Sequence, residues 1–267
     1  MAMEAQPSPT IDLDKYFARI DYSGPRRADL GALRAVHFAH ATRIPFENID
    51  VLLGKPIRLD LSGLTAKLVD ARRGGYCFEQ NALLAAALEA LGFRVSRLLA
   101  RVRIHARLLP RTHMVLEVSA EERAWLCDVG FGAWGLLDPL PLAAGKSDQY
   151  AWKYRLEQQD GEWFLEALVA GEWSQMYSFT EEPQLPVDFE PGNHYTSTHP
   201  DSRFTHTLTA QRPTPETRWL LNNRQLTTAT AAGLSMRTLE SDEELLATLR
   251  ELFLLDVPAG SWLPGRA

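Results

Sequence analysis

Three side chains suited to thiol chemistry stand in the order cysteine, histidine, aspartate: Cys77, His113 and Asp128. Cys77 follows the pair Gly74-Gly75 and opens an apolar stretch of helical character at 78–89. A helix N-terminus favours the thiolate, and two glycines let backbone approach a ligand closely. His113 and Asp128 fall in neighbouring stretches of alternating character, 112–118 and 124–129, separated by the polar residues 119–122. Pairing Val118 with Arg123 makes an antiparallel hairpin that sets His113 directly opposite Asp128, with Cys127 opposite Met114 on the other face. Side chains so opposed have Cβ atoms about 5 Å apart, within reach of a carboxylate to imidazole hydrogen bond. Such a carboxylate fixes the tautomer and stabilises the imidazolium, which is what a neighbouring thiol needs to give up its proton. A slip of one residue would turn His113 to the wrong face. Cys127 is assigned to core packing.

The elements that must hold these residues change character about a third of the way along. Up to about residue 90 the apolar residues recur at helical spacing: Leu13, Tyr16, Phe17 and Ile20 behind a capping Asp12, then Leu30, Leu33 and His37. Further helices are expected at 64–71 and 78–89, separated by Arg73-Gly74-Gly75. From Phe93 alternation and β-branched residues predict strands at 93–104, 112–118, 124–129, 152–157, 163–169 and 173–179, with turns at Asp160-Gly161 and Ala170-Gly171. Strands joined by such short links read as an antiparallel barrel or meander. The segment 182–200, with Pro183, Pro186, Pro191 and Pro200, is expected to be a linker or covering loop. The last third mixes a stretch at 204–211, a hairpin through Asn222-Asn223, and a closing helix with Ser241 and Glu244 as a capping box.

Composition narrows the function classes. The 267 residues are 45% hydrophobic with a net charge of −6, an acidic balance that argues against nucleic acid as the main partner. The longest apolar run, 82–88, is far short of the roughly 20 residues that cross a bilayer, so no membrane span is expected. The first ten residues lack a basic leader and an apolar core, and are not read as a signal peptide. Two cysteines are too few for a disulfide framework or a Cys-rich zinc site, which points to a reducing cytoplasm and no metal.

The order Cys, His, Asp is that of papain-like and transglutaminase-like sites, and the residues around it carry a more specific resemblance. Arg73-Gly74-Gly75-Tyr76-Cys77-Phe78-Glu79-Gln80-Asn81, Arg111-Thr112-His113-Met114 and Asp128-Val129-Gly130-Phe131-Gly132 resemble the arylamine N-acetyltransferase family. The likeness extends to Ile44-Pro45-Phe46-Glu47-Asn48 upstream and Ser197-Thr198-His199-Pro200-Asp201-Ser202 downstream, leaving unmatched only the last 20 or so residues. It implies an α+β fold on a transglutaminase/papain-like catalytic core: a helical bundle carrying the cysteine (1–90), a central antiparallel β-barrel carrying His and Asp (91–200) and an α/β lid (201–267).

The same resemblance implies a ping-pong transfer. Acetyl-CoA is the acyl-donor substrate, small aromatic amines or hydrazines are the acceptors, Cys77 is the nucleophile, His113 the base and acid, and Asp128 its orienter. Thr112, Gly130 and Gly132 are expected along the pantetheine arm, and Phe38 and Phe131 around the acceptor. Glu47 and Arg73 are expected as an ion pair holding the cysteine loop, and His199 as a structural residue of the lid. Between 91 and 116 stand Arg94, Arg97, Arg101, Arg103, Arg107 and Arg111 with no Asp or Glu, either a draw for CoA phosphates or an exposed strand face. The Cys77 amide is a physical candidate for an oxyanion donor. The three residues alone leave open a thiol hydrolase or an amide synthase on the same scaffold. The acceptor's identity and the oligomeric state are not set by motifs.

Overall fold

The computed structural model describes residues 10–104 and 108–257. Its first third is helical. Helix α1 (Leu13–Ile20) starts at Asp12, whose carboxylate accepts from the amides of Asp14 and Lys15, and α2 (Leu30–Arg43) starts likewise at Asp29. A two-residue strand β1 (Phe46–Glu47) and a single turn α3 (Ile49–Leu52) follow. The helix expected at 64–71 is a turn of α-helix, α4 (Leu61–Leu64), that continues as π-helix over Thr65–Asp70. Helix α5 (Cys77–Ala90) begins on the cysteine itself and is buried over most of its surface.

The middle of the chain is an eight-stranded antiparallel sheet, curled into a nearly closed barrel. Its strands are β2 (Arg94–Val102), β3 (His113–Ala120), β4 (Arg123–Cys127), β5 (Leu140–Pro141), β6 (Gly145–Gln149), β7 (Trp152–Gln159), β8 (Glu162–Val169) and β9 (Glu172–Pro183). They lie in the order β5-β4-β3-β2-β9-β8-β7-β6, so the two end strands are consecutive in the chain. The α5 helix packs across β2 and β3, which is how the cysteine reaches the histidine. Asp160-Gly161 and Ala170-Gly171 both take positive φ in tight hairpin turns.

The β3–β4 register departs from the expected one by two residues. Ala120 pairs with Arg123 and Leu116 with Cys127, because the turn is only Glu121-Glu122, both at positive φ (51° and 59°). Neither residue is one whose chemistry advertises a type I′ turn. A shift of two keeps the pleat in phase, so His113 and Asp128 stay on one face as diagonal rather than direct neighbours. Cys127 lies opposite Leu116 rather than Met114, fully buried in the core, where burial pushes its thiol well above the usual range.

The segment expected as a loop at 182–200 is ordered structure: the end of β9, a 3₁₀ turn (Pro186–Phe189) and helix α6 (Glu190–Thr198). Pro191 sits in the first helical turn, where a missing N–H costs nothing. A second sheet closes the chain, with β10 (Thr209–Pro213), β11 (Thr217–Asn222), β12 (Gln225–Thr230) and β13 (Gly233–Thr238) in sequence order behind β1. Its tight turn is Asn223-Arg224, one residue beyond the expected pair. Helix α7 (Asp242–Phe253), capped by the Ser241 hydroxyl, covers it with Leu245, Leu249 and Phe253. Phe46 pairs with Gln211 in that sheet and bridges Gly75, so a strand from the helical third is stitched to the last third. Among the described residues no helix is long and apolar enough to cross a membrane.

Candidate active site

Two glycines bring the cysteine to its place by contact rather than by unusual torsions. A Cβ on Gly74 would come within 2.2 Å of the Pro45 carbonyl, and one on Gly75 within 2.6 Å of Glu79 Oε2. The chain can therefore lie against 45–47, with Glu47 N–H donating to the Gly75 carbonyl at 3.1 Å. Glu79, at the third position of α5, accepts the Tyr76 N–H at 3.1 Å and fixes the turn into the helix. Its other oxygen takes Lys67 Nζ at 2.8 Å, and Lys67 reaches Asp50 at 3.1 Å. Asp50 also meets Arg73, which grips the buried Glu47 through Nη2 at 2.6 Å. The expected Glu47–Arg73 pair is thus one edge of a network of five charges that braces the cysteine loop.

His113 opens β3, and its Nε2 lies 2.8 Å from Asp128 Oδ2. The other carboxylate oxygen accepts from Asn81 Nδ2 at 2.9 Å and from Gly130 N–H at 2.8 Å. Asn81 stands one turn beyond Cys77 on α5, and its Oδ1 takes the Val129 N–H at 3.0 Å, so one side chain ties the cysteine helix to both sides of Asp128. The Asp128 N–H donates to Nε2 of His37 at 3.1 Å. Burial opposes charge on both partners, yet their mutual attraction wins: it holds the Asp128 carboxyl below the usual range and, with Cys77 nearby, lifts His113 to about 10. Burial drives His37 down to about 4, so it is a neutral acceptor at neutral pH.

With Nε2 committed to Asp128, Nδ1 is the His113 nitrogen left for Cys77, whose Sγ lies 3.5 Å from the Thr112 carbonyl oxygen. Cys77, Thr112, His113, Gly130 and Phe131 share one cavity of about 610 Å³. Its apolar walls come from Val102, Ile104, Trp134 and Phe204, and from α6 and the turn after it come Tyr195, Asp201 and Arg203. The Phe131 ring meets the His113 ring edge-on with centroids 5.2 Å apart, and the Tyr177 ring of β9 covers both at 4.9 and 5.2 Å. Gly130 has no room for a side chain: a Cβ would sit 2.7 Å from Cys77 Cα.

Two expected contact residues are not brought to this cavity. Phe38 lies half-buried on α2 with its ring 5.5 Å from that of Tyr150, and is absent from the cavity lining. Gly132, at φ +86°, turns its bare Cα toward Gln211, whose Oε1 would meet a Cβ at 2.2 Å. Three arginines of the stripe are engaged with the protein. Arg97 pairs with Glu89, Arg103 with Ser178 and Glu162, and Arg101 with the Leu109 carbonyl, while Arg107 lies outside the described residues. His199 stacks on Tyr195 and accepts the Asp201 N–H.

Sequence reasoning assigned no role to Asn81, His37 or Tyr177. Asn81 stood inside the cysteine motif, four residues after Cys77 and therefore on its face of the helix. His37 and Tyr177 carried no local signal.

Residues 29–262 match the family model described as N-acetyltransferase. The arylamine N-acetyltransferase of Mycolicibacterium smegmatis is 42% identical over 255 residues, covering 92% of this chain and 93% of that protein. The chain belongs to the arylamine N-acetyltransferase family. Other members agree in sequence and in shape. The Escherichia coli arylamine N-acetyltransferase is 40% identical over 92% of this chain and 89% of its own. The solved arylamine N-acetyltransferase of Nocardia farcinica superposes with a TM-score of 0.89 at 39% identity, over 96% of this chain and 95% of that one. The Mycobacterium marinum family member, solved in complex with CoA, superposes with a TM-score of 0.87 at 37% identity, over 92% and 93% of the two chains.

Proposed function

We propose that the protein transfers an acetyl group from acetyl-CoA to an aromatic amine or hydrazine through an acetyl-Cys77 intermediate. The observation that carries this reading is the shared cavity: a cysteine at a helix N-terminus and a carboxylate-held histidine open together into one apolar chamber with Phe131 on its wall. The Sγ proton rests on His113 Nδ1 in the free enzyme, and in the first half-reaction the thiolate attacks the thioester carbonyl. The tetrahedral oxygen accepts from the Cys77 N–H, a reading supported by that amide's place at the first position of α5. The carbon–sulfur bond to CoA then breaks, and His113 returns its proton to the departing CoA thiolate.

In the second half-reaction the amine nitrogen attacks the acetyl carbon, His113 takes a proton from that nitrogen, and the bond to Cys77 Sγ breaks. The sulfur leaves as the partner of the His113 imidazolium, ready for another cycle. Asp128 makes both steps easier by raising the basicity of His113 and fixing its ring. Thr112 and Gly130 flank the cysteine where the pantetheine arm must deliver its thioester. An apolar aromatic wall suits a flat acceptor better than a charged or aliphatic one.

The decisive assay is CoA release from acetyl-CoA with and without an aromatic amine. Release in steady state only when the amine is present supports transfer. Steady release without amine would mean that water takes the acyl group, the reaction of a hydrolase.

A further inference from the structure

The backbone of Ala133 is held at both its N–H and its carbonyl by the C-terminal sheet. Its N–H donates to Gln211 Oε1 at 2.8 Å, and its carbonyl accepts from Nη1 of Arg218, which also reaches the Gly135 carbonyl at 3.0 Å. Gln211 belongs to β10 and Arg218 to the adjacent β11. The segment they hold is the one that follows Asp128 and delivers Phe131 and Trp134 to the cavity wall.

Arg218 is an unusual residue to bury. It is fully excluded from solvent, and among the described residues no carboxylate pairs with it. Its charge is met instead by two carbonyls, by the Tyr154 hydroxyl, and by the π faces of Trp152 and Trp134 at 4.3 and 5.7 Å. Tyr154 closes the set by donating to the Gly135 carbonyl at 2.7 Å. A guanidinium desolvated without a counter-ion is costly, and its planar fork is what allows one side chain to reach several acceptors at fixed angles. An apolar residue would fill the same space without that cost, but it would leave the loop carbonyls unheld.

We propose that Arg218 and Gln211 form a latch through which the C-terminal sheet sets the positions of Phe131 and Trp134, making Arg218 a positioning residue for the amine half-reaction. Cys77, His113 and Asp128 are held independently by α5, Asn81 and the Gly130 amide, so acyl-enzyme formation does not depend on the latch. The inference rests on the two-step transfer proposed above. In such a scheme kcat/KM for the donor reports the first half-reaction and kcat/KM for the amine the second, so the two effects separate.

The test compares wild type, Arg218→Lys and Gln211→Ala, each first checked for a cooperative thermal transition. Lysine keeps the charge but cannot span both carbonyls, and alanine removes the contact to the Ala133 N–H together with one polar side chain of the cavity lining. For both variants kcat/KM for a flat aromatic amine is expected to fall by about tenfold or more, since small misplacements of a binding wall are costly. Acetylation of Cys77 by acetyl-CoA, followed by intact mass, is expected to stay within about threefold of wild type. Equal losses in both half-reactions, or no loss in either, would overturn the latch. If Arg218→Lys does not fold, Gln211→Ala decides by the same criterion. Absence of acetyl-Cys77 in wild type would overturn the two-step reading, and the latch with it.

Discussion

His113 Nε2 bonds Asp128 Oδ2 at 2.8 Å across a hairpin in which the two residues are diagonal neighbours, with Asp128 one residue past the end of its strand. Leaving the ladder frees the Asp128 carboxylate and the two amides around it for other partners. Asn81 and the Gly130 amide hold its second oxygen, while neutral His37 holds its own N–H. The carboxylate is thus fixed by the cysteine helix as much as by the barrel.

Asp128→Asn removes the charge that keeps His113 basic and leaves its ring in place. Burial alone would then push His113 below its ordinary value, because desolvation already opposes its charged form. Amine acetylation is expected to fall on the order of 10³ to 10⁴-fold, the scale on which a triad carboxylate acts. Alkylation of Cys77 by iodoacetamide at neutral pH should slow in parallel by about tenfold or more. An unchanged alkylation rate would separate Asp128 from the thiol. The ion pair's contribution to stability is complete below the free histidine value and is lost as pH rises through about 10; on the acid side it is lost as Asp128 protonates below 3.8.

Buried His40 gives a pH effect of opposite sign. It links the Tyr16 hydroxyl at Nδ1 to Gln80 Oε1 at Nε2, both at 2.8 Å, and burial drives it down to about 3. The folded state keeps it neutral while the unfolded chain takes up a proton below about 6.5, so stability is lost as pH falls from there toward about 3. His40→Gln abolishes this term. The stability difference between wild type and variant, from urea unfolding at pH 7.5 and 5.5, should shrink by about 1.4 kcal/mol for each pH unit below 6.5. A difference independent of pH would show that His40 takes up its proton in the fold as readily as in the unfolded chain.

Glu47→Gln strips the charge facing Arg73 at the base of the cysteine loop. Breaking a buried pair costs about 3 to 5 kcal/mol, and the lower end is expected because Asp50 remains 3.3 Å from Arg73. Urea unfolding measures the loss. A change below about 1 kcal/mol would place this network among weak surface pairs.

The turn Glu121-Glu122 forces two non-glycine residues to positive φ on an exposed hairpin tip. Replacing the pair by Asn-Gly should stabilise the protein by about 1 kcal/mol and leave amine acetylation unchanged. Thermal unfolding tests it, and a loss of stability would contradict the observed register.

Much of this architecture was legible in the chain because local chemistry announces it. Asp12 and Ser241 cap the helices they precede, Asp160-Gly161 turns where it should, and strand alternation delimits the barrel. The β3–β4 register lies two residues from the one that strand alternation suggests, because Glu121-Glu122 carries no turn signature; the shared face is kept because the offset is even. The prolines of segment 182–200 suggest a loop, yet Pro191 occupies the one helical turn that tolerates it. Within the site, Cys77 and the His113–Asp128 pair follow from residue type and spacing. The buried Arg218 and neutral His37 do not, because tertiary packing alone brings them to the loop around Asp128. Phe38 was expected at the acceptor from resemblance, and its helix turns it to Tyr150 instead.

The most direct test of acetyl transfer through Cys77 is the intact mass of the enzyme after brief mixing with acetyl-CoA alone, then after addition of an aromatic amine. One acetyl group mapped to the peptide bearing Cys77, lost on adding the amine and absent in Cys77→Ala, is the predicted result. An acetyl group on Cys127, or turnover of the amine with no acetyl-enzyme at any time, would contradict it.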